Sequence, residues 1–206
     1  LEGALFMGPL IQSVKSWGLE AVGLADSGHL FGAMEFSGRC LKEGLFPVLG
    51  AQISVFTEGK SYPMVLYVQN QKGYENLCAL ITCSTVGQPL ELRESVTLTQ
   101  LETYEQGLLA LSGGFKGPLD SLLQQDNPDA ARRVLESLGA IFKDRFYIEI
   151  NRYPSLKRSQ NIEDQLVDWA YAKSLPLIAT NQAFFLNPED FKAHDVLRCI
   201  AMGRYV

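Results

Sequence analysis

Apolar residues recur at helical spacing from Gly3 to Trp17, at Leu5, Leu10, Ile11, Val14 and Trp17, and Gly18 stops the run. Glu20 to Asp26 is a short apolar stretch ending in an acid, which predicts a strand, and Phe31 to Glu43 returns to helical spacing before Gly44. Two β-rich runs, Phe46 to Phe56 and Tyr62 to Val68, flank Thr57-Glu-Gly-Lys, whose composition predicts a hairpin turn. Lys72 to Cys83 then places Tyr74, Leu77, Leu80 and Ile81 on one side of a helix.

The middle of the chain is less patterned, with Thr99-Gln-Leu-Glu resembling a capped helix start. Gly107 to Ser112 reads as a strand turning at Gly113-Gly114, followed by helices over Pro118 to Gln125 and Pro128 to Ile141. Asn127 is the expected cap of the second, with Pro128 in its first turn. Phe146 to Ile150 and Pro176 to Thr180 are strands on either side of an amphipathic helix, Ile162 to Lys173, and Asn187-Pro-Glu-Asp caps a last helix running to Met202. Strand and helix alternate, so an α/β fold with a largely parallel sheet, closed or open, is expected. Six strands are predicted and the chain opens on a helix, so a further strand is expected upstream of Leu1.

Composition narrows the class. At 206 residues with 47% hydrophobic and 20% charged residues, the chain can bury a substantial core. A net charge of -5 argues against a surface that grips a phosphate backbone by itself. Cys40, Cys78, Cys83 and Cys199 form no CxxC pair, and Cys78 and Cys83 fall about 140° apart around their helix. They suggest buried thiols in a reducing cytoplasm rather than a zinc knuckle or disulfide frame. No apolar run reaches membrane-spanning length, and no membrane association is expected. The start at Leu1 suggests a fragment of a longer chain, and no internal repeat or linker marks a boundary within it.

Folds of this kind build chemistry at the C-terminal ends of strands. Those ends hold Asp26-Ser27, Gln52, Gly113-Gly114, Asn151 to Tyr153, and Asn181 to Phe184. Asp26 suits either a metal ligand or a cap for the next turn. With only His29 and His194 in the chain, a His-rich metal cluster cannot be assembled, and His194-Asp195 fits a helix-surface or interhelix hydrogen bond. Gly113, Gly114 and Gly117 match neither phosphate-loop fingerprint and suit a turn. Phe184-Phe185 suits a core or partner contact, and no Ser-His-Asp set or nucleophile elbow is present.

Several segments together resemble a known family. They include Gly23-Leu-Ala-Asp-Ser-Gly-His-Leu-Phe-Gly-Ala-Met-Glu-Phe, Pro47-Val-Leu-Gly-Ala-Gln, Gly73-Tyr-Glu-Asn-Leu and Leu111-Ser-Gly-Gly. Tyr147-Ile-Glu-Ile, Ile178-Ala-Thr-Asn, Asn187-Pro-Glu-Asp and Ala193-His-Asp-Val-Leu-Arg-Cys-Ile-Ala continue the series in order. The whole chain, residues 1–206, thereby resembles the polymerase-and-histidinol-phosphatase (PHP) domain, in the version found at the N-terminus of bacterial DNA polymerase III α subunits. The resemblance implies a distorted seven-stranded (β/α) barrel whose first strand, carrying an HxH pair, lies upstream of Leu1. In active members, metal ions at the strand ends support phosphoester hydrolysis through metal-bound water.

The resemblance also implies which ligands are replaced. Asp26 keeps the family's acid, whereas Ser27, Tyr153 and Phe184 stand where active members have His. Gln52 stands for Glu, Gly114 for Cys and Gln182 for Asp, and His194 matches a His on the last helix. Asp26 and His194 are the residual candidates, and a cation needs several charged or imidazole ligands converging at roughly 2.0 to 2.6 Å. The expectation is a non-catalytic domain without its own cofactor that braces the polymerase core and docks a separate proofreading exonuclease subunit. DNA would be contacted mainly by the rest of the parent chain, which would polymerise with Mg2+ at a distant palm. The alternatives are a metal-dependent phosphoesterase or 3′ to 5′ exonuclease with a reduced site, and an unrelated β/α-barrel binding protein.

Overall fold

A computed structural model describes residues 3–86, 89, 94–152 and 160–205. Eight α-helices are described: α1 Met7–Ser16, α2 Ala33–Lys42, α3 Gln71–Thr85, α4 Leu98–Thr103, α5 Pro118–Gln124, α6 Pro128–Phe142, α7 Gln160–Ala172 and α8 Phe191–Met202. Seven strands accompany them: β1 Ala21–Ser27, β2 Phe46–Thr57, β3 Lys60–Val68, β4 Ser95–Thr97, β5 Leu108–Leu111, β6 Phe146–Ile150 and β7 Leu177–Ala179. The sheet order is β1-β2-β3-β5-β6-β7, with β4 beside β2. All six predicted strands form. The additional one, β4, is three residues long and too short to leave an alternating pattern in the sequence.

The sheet is mixed. β2 pairs parallel with β4, β5 with β6 and β6 with β7, whereas β3 runs antiparallel to both β2 and β5. The reversal follows from the turn between β2 and β3. Thr57 pairs with Lys60, leaving only Glu58 and Gly59 in the loop, both at positive φ (49° and 76°). That two-residue geometry matches the twist of the flanking strands, and it brings β3 back along β2 with no room for a crossover helix.

Local signals set most helix ends. The Asn70 side chain accepts from the Gly73 amide at the start of α3, and Asn127 accepts from Ala130 at the start of α6, with Pro128 inside. The cap of α4 is Thr97 rather than Thr99. Thr97 and Gln100 satisfy each other's backbone amides in a capping box, because Gln serves as well as Glu at the third helical position. A short 3-10 turn, Pro188–Asp190, precedes α8, so the Asn187-Asp190 box caps that turn.

The chain forms two compact units, one of residues Leu1–Gly23, Gly32–Val48 and Asn181–Val206, the other of Leu24–Phe31 and Leu49–Thr180. The larger unit holds one continuous apolar core. Its β2 and β3 contribute Ala51, Ile53, Val55, Met64 and Leu66, its α6 contributes Val134, Leu135, Leu138 and Phe142, and Phe146 and Ile148 come from β6. Each such Leu, Ile or Phe gains about 1.5–3 kcal/mol from leaving water. Alternate strand positions face away from this core, among them Gln52, Val65 and Tyr67. In the smaller unit α1 packs on α2, and Ile11, Val14, Phe36 and Cys40 of these helices are buried. Burial pushes the Cys40 thiol above its ordinary pKa, in keeping with an inert core thiol.

Candidate functional site

In the larger unit, the strand ends are joined by side-chain hydrogen bonds. Asp26 and Ser27 close β1, and the Asp26 carboxylate lies 4.0 Å from His29 Nδ1, whose ring stacks on Phe31 at 4.4 Å. Asp26 does not cap α2, which starts at Gly32 without a side-chain cap. Gln52 Nε2 donates to Ser27 Oγ at 3.3 Å, and the Gln52 carbonyl accepts from the Gly28 amide at 2.8 Å. Gln52 is not at a strand end: β2 continues to Thr57. It pairs with Val65, and Val65 with Leu111, so Gln52 stands level with the end of β5. The hairpin simply carries β2 past that level.

The densest polar cluster joins β5, β6 and β7. Glu149 is buried mid-strand in β6, where its Oε2 accepts from the Gly113 amide at 2.7 Å and its Oε1 from Thr180 Oγ1 at 2.6 Å. The Glu149 amide donates to Ser112 Oγ at 2.9 Å. Asn151, also buried, accepts from the Phe115 amide through Oδ1 at 3.0 Å. Its Nδ2 donates to Thr180 Oγ1 at 2.6 Å and to the Thr180 carbonyl at 3.1 Å. Half-buried Tyr67 lies near enough that burial first, and the Glu149 charge second, raise its phenol above the ordinary pKa.

Gly113 and Gly114 hold positive φ of 85° and 53°, in the left-handed region that side chains disfavour. A Cβ at Gly113 would stand 2.0 Å from the Pro63 carbonyl oxygen, and one at Gly114 only 1.6 Å from Asn151 Oδ1. No side chain fits at 114 while Asn151 keeps its place. Sequence reasoning assigned no role to Glu149, Ser112 and Thr180. The available signal was an acid in the middle of the apolar run Phe146-Tyr-Ile-Glu-Ile, where a buried carboxylate needs donors around it.

In the smaller unit, the segment after β7 carries Gln182, which is exposed, and Phe184. The Phe184 carbonyl accepts from the Ala4 amide at 2.6 Å. His194 is buried on α8 instead of lying on a helix surface, with its ring stacked on Phe184 at 5.3 Å and tilted against Phe185 at 5.4 Å. The apolar pair at 184 and 185 thus surrounds the one buried imidazole. Tyr153 lies outside the described residues. Beside it, Arg152 reaches the Glu163 carboxylate of α7, which raises the guanidinium pKa further. Among the described residues, no group of three or more His, Cys, Asp or Glu side chains is placed to hold a metal ion, and no helix is long and apolar enough to cross a membrane.

Comparison with known proteins gives a consistent result. The family described as "PHP domain" matches residues 1–153. The DNA polymerase III subunit alpha of Caulobacter vibrioides is 35% identical over 215 aligned residues, covering 100% of this chain and 19% of that protein. The same subunit of Rickettsia bellii is 30% identical, covering 98% of this chain and 17% of that protein. The chain therefore spans less than a fifth of the length of these relatives. Among solved structures, a protein from Bifidobacterium adolescentis assigned as a metal-dependent phosphoesterase superposes with a TM-score of 0.59 at 13% identity, covering 89% of this chain and 84% of that one.

Proposed function

The chain belongs to the PHP domain family, and on that premise we propose that it is the PHP domain of a DNA polymerase III α subunit whose strand ends act as a scaffold and not as a phosphoesterase centre. The observation that carries this reading is the Asn151 amide, which fills the place where a ligand at 114 would project. The residues present do not fit the metal cluster that the family resemblance implies. Position 114 has no room for a thiol, Phe184 offers a ring face and no lone pair, and Ser27 and Gln52 bond to each other. Glu149, a buried carboxylate in β6, accepts from the Gly113 amide and the Thr180 hydroxyl.

In this reading the domain braces the rest of the α chain and docks a separate proofreading exonuclease. DNA is held by the parent chain, which polymerises nucleotides with Mg2+ in the cytoplasm. The net charge of -5 supports a domain that does not bind DNA on its own. The full-length protein with its native N-terminus tests the proposal by elemental analysis for Zn, Mn and Fe and by assay on single-stranded DNA with a 3′ mismatch. The expected result is less than stoichiometric metal and no hydrolysis from the PHP domain. Stoichiometric metal together with chelator-sensitive 3′ hydrolysis that survives loss of polymerase activity would establish the phosphoesterase alternative.

A further inference from the structure

Two side chains from β6 and its end, Glu149 and Asn151, reach in opposite directions to the turn after β5 and to Thr180 after β7. On the β5 side they take the Gly113 and Phe115 amides, and on the β7 side they meet the Thr180 hydroxyl and carbonyl. The donors and acceptors fix the direction of the chain of bonds. Asn151 Nδ2 donates to Thr180 Oγ1, so the hydroxyl proton is available for Glu149 Oε1, and a carboxylate can only accept it. Every polar atom of the Asn151 amide is used, at 7% exposure.

We infer that Asn151 is a clamp across the ends of β5, β6 and β7, and that glycine at 114 is its steric counterpart, so that the two positions hold one side chain between them. A methyl at 114 would overlap Asn151 Oδ1 at 1.6 Å, far inside any real carbon–oxygen contact. Removing the overlap means rotating the amide, which strands the Phe115 amide on one side and the Thr180 groups on the other. The inference stands on this geometry and does not depend on the scaffold reading. If the strand ends are a former ligand site, it adds that a thiol cannot return to 114 by a single substitution, since the clamp has to be dismantled first.

Left-handed strain at Gly114 and the clash with Asn151 predict different behaviour in a double-mutant cycle. Strain belongs to the backbone of 114 and costs the same in either background, whereas the clash vanishes with the amide. Gly114→Ala, Asn151→Ala and the double variant, made in the full-length protein, are compared by hydrogen–deuterium exchange of peptides covering residues 108–115 and 146–151. Gly114→Ala accelerates exchange strongly in the native background and by less than roughly half as much, on a logarithmic scale, when Asn151→Ala is also present. Equal acceleration in both backgrounds overturns the pairing. If Gly114→Ala does not fold, recovery of folded protein in the double variant supports it, and failure of both overturns it. Asn151→Asp separates the bonds from the bulk: it keeps the shape but turns a carboxylate oxygen toward the Thr180 carbonyl. Exchange at the wild-type rate in Asn151→Asp would overturn the donor role. None of these readouts depends on metal content or nuclease activity, so the clamp and the scaffold can fail separately.

Discussion

Tyr67 and Glu149 form an unequal pair inside the larger unit. Glu149 accepts from Gly113 and Thr180, while burial first and the Glu149 charge second hold the Tyr67 phenol above its ordinary pKa. Raising a folded-state pKa favours the proton-bound form, so this contribution to stability is complete below the ordinary tyrosine value of about 10 and is lost as pH rises through the higher folded value. Glu149→Gln removes the charge and should bring the Tyr67 titration down, read as phenolate absorbance against a Tyr67→Phe control. It should also cost about 1–3 kcal/mol, because the new amide points a donor at one of the two donors Glu149 now accepts from. An unchanged titration would mean that burial alone sets the shift. The sequence makes such residues only half legible. Ser27, Gln52, Gly114 and Phe184 can be picked out as positions without a carboxylate, thiolate or imidazole, since that is a property of the side chain itself. What fills the space at 114 depends on which residues the fold brings to it, and the two partners lie 37 positions apart, Asn151 and Gly114, with nothing between them to mark the pairing.

At the scale of elements, the hairpin is anchored to α6 by an exposed pair, Arg133 with Glu58 in the two-residue turn, at 2.9 Å. The Arg133 hydrogen bond holds the Glu58 carboxyl below its usual range. A depressed folded pKa gives stability that is present above the ordinary glutamate value of about 4.3 and is lost as pH falls through the lower folded value. Arg133→Ala should therefore reduce stability at neutral pH and converge on wild type in acid, measured as denaturant midpoints across that range. A gap that persists in acid would place the effect in packing. Added salt should narrow the neutral gap, since both groups face water. Elements with local causes were legible. Glu58-Gly59 has the composition its turn needs, and Asn127-Pro128 starts α6 where both residues fit. β4 was not, because three residues carry no period, whereas the run Phe46 to Phe56 marked β2 to within one residue of its end. The reversed direction of β3 follows from that same two-residue turn, which its composition had marked as a hairpin.

At the scale of the molecule, the family match and the structural likeness agree on a PHP fold, and the proposed loss of ligands has a thermodynamic signature. Metal-bound domains are stabilised by their ions, so chelation lowers their unfolding temperature. Here the strand ends are joined by Glu149, Asn151 and Thr180, so treatment with EDTA should leave the thermal midpoint of this domain unchanged. A fall in midpoint that added zinc or manganese reverses would point to a structural ion.

The reversed strand also bears on how the polypeptide is made. β2 and β3 need only Glu58 and Gly59 between them, and they can pair as soon as Val68 has left the ribosome. The other side of β3 waits for Leu108–Leu111, which are translated after all of α3, β4 and α4. Until then the growing chain exposes an open edge at Val65, Leu66, Tyr67 and Val68, a run with every property that invites pairing with a neighbouring nascent chain. Pro63, just before that run, lacks an amide hydrogen to offer and shortens the edge at one end. The α3 helix starts three residues beyond Val68 and contacts β3. It is the first element after β3 in the chain, so it can fold beside the waiting strand before the permanent partner has been synthesised.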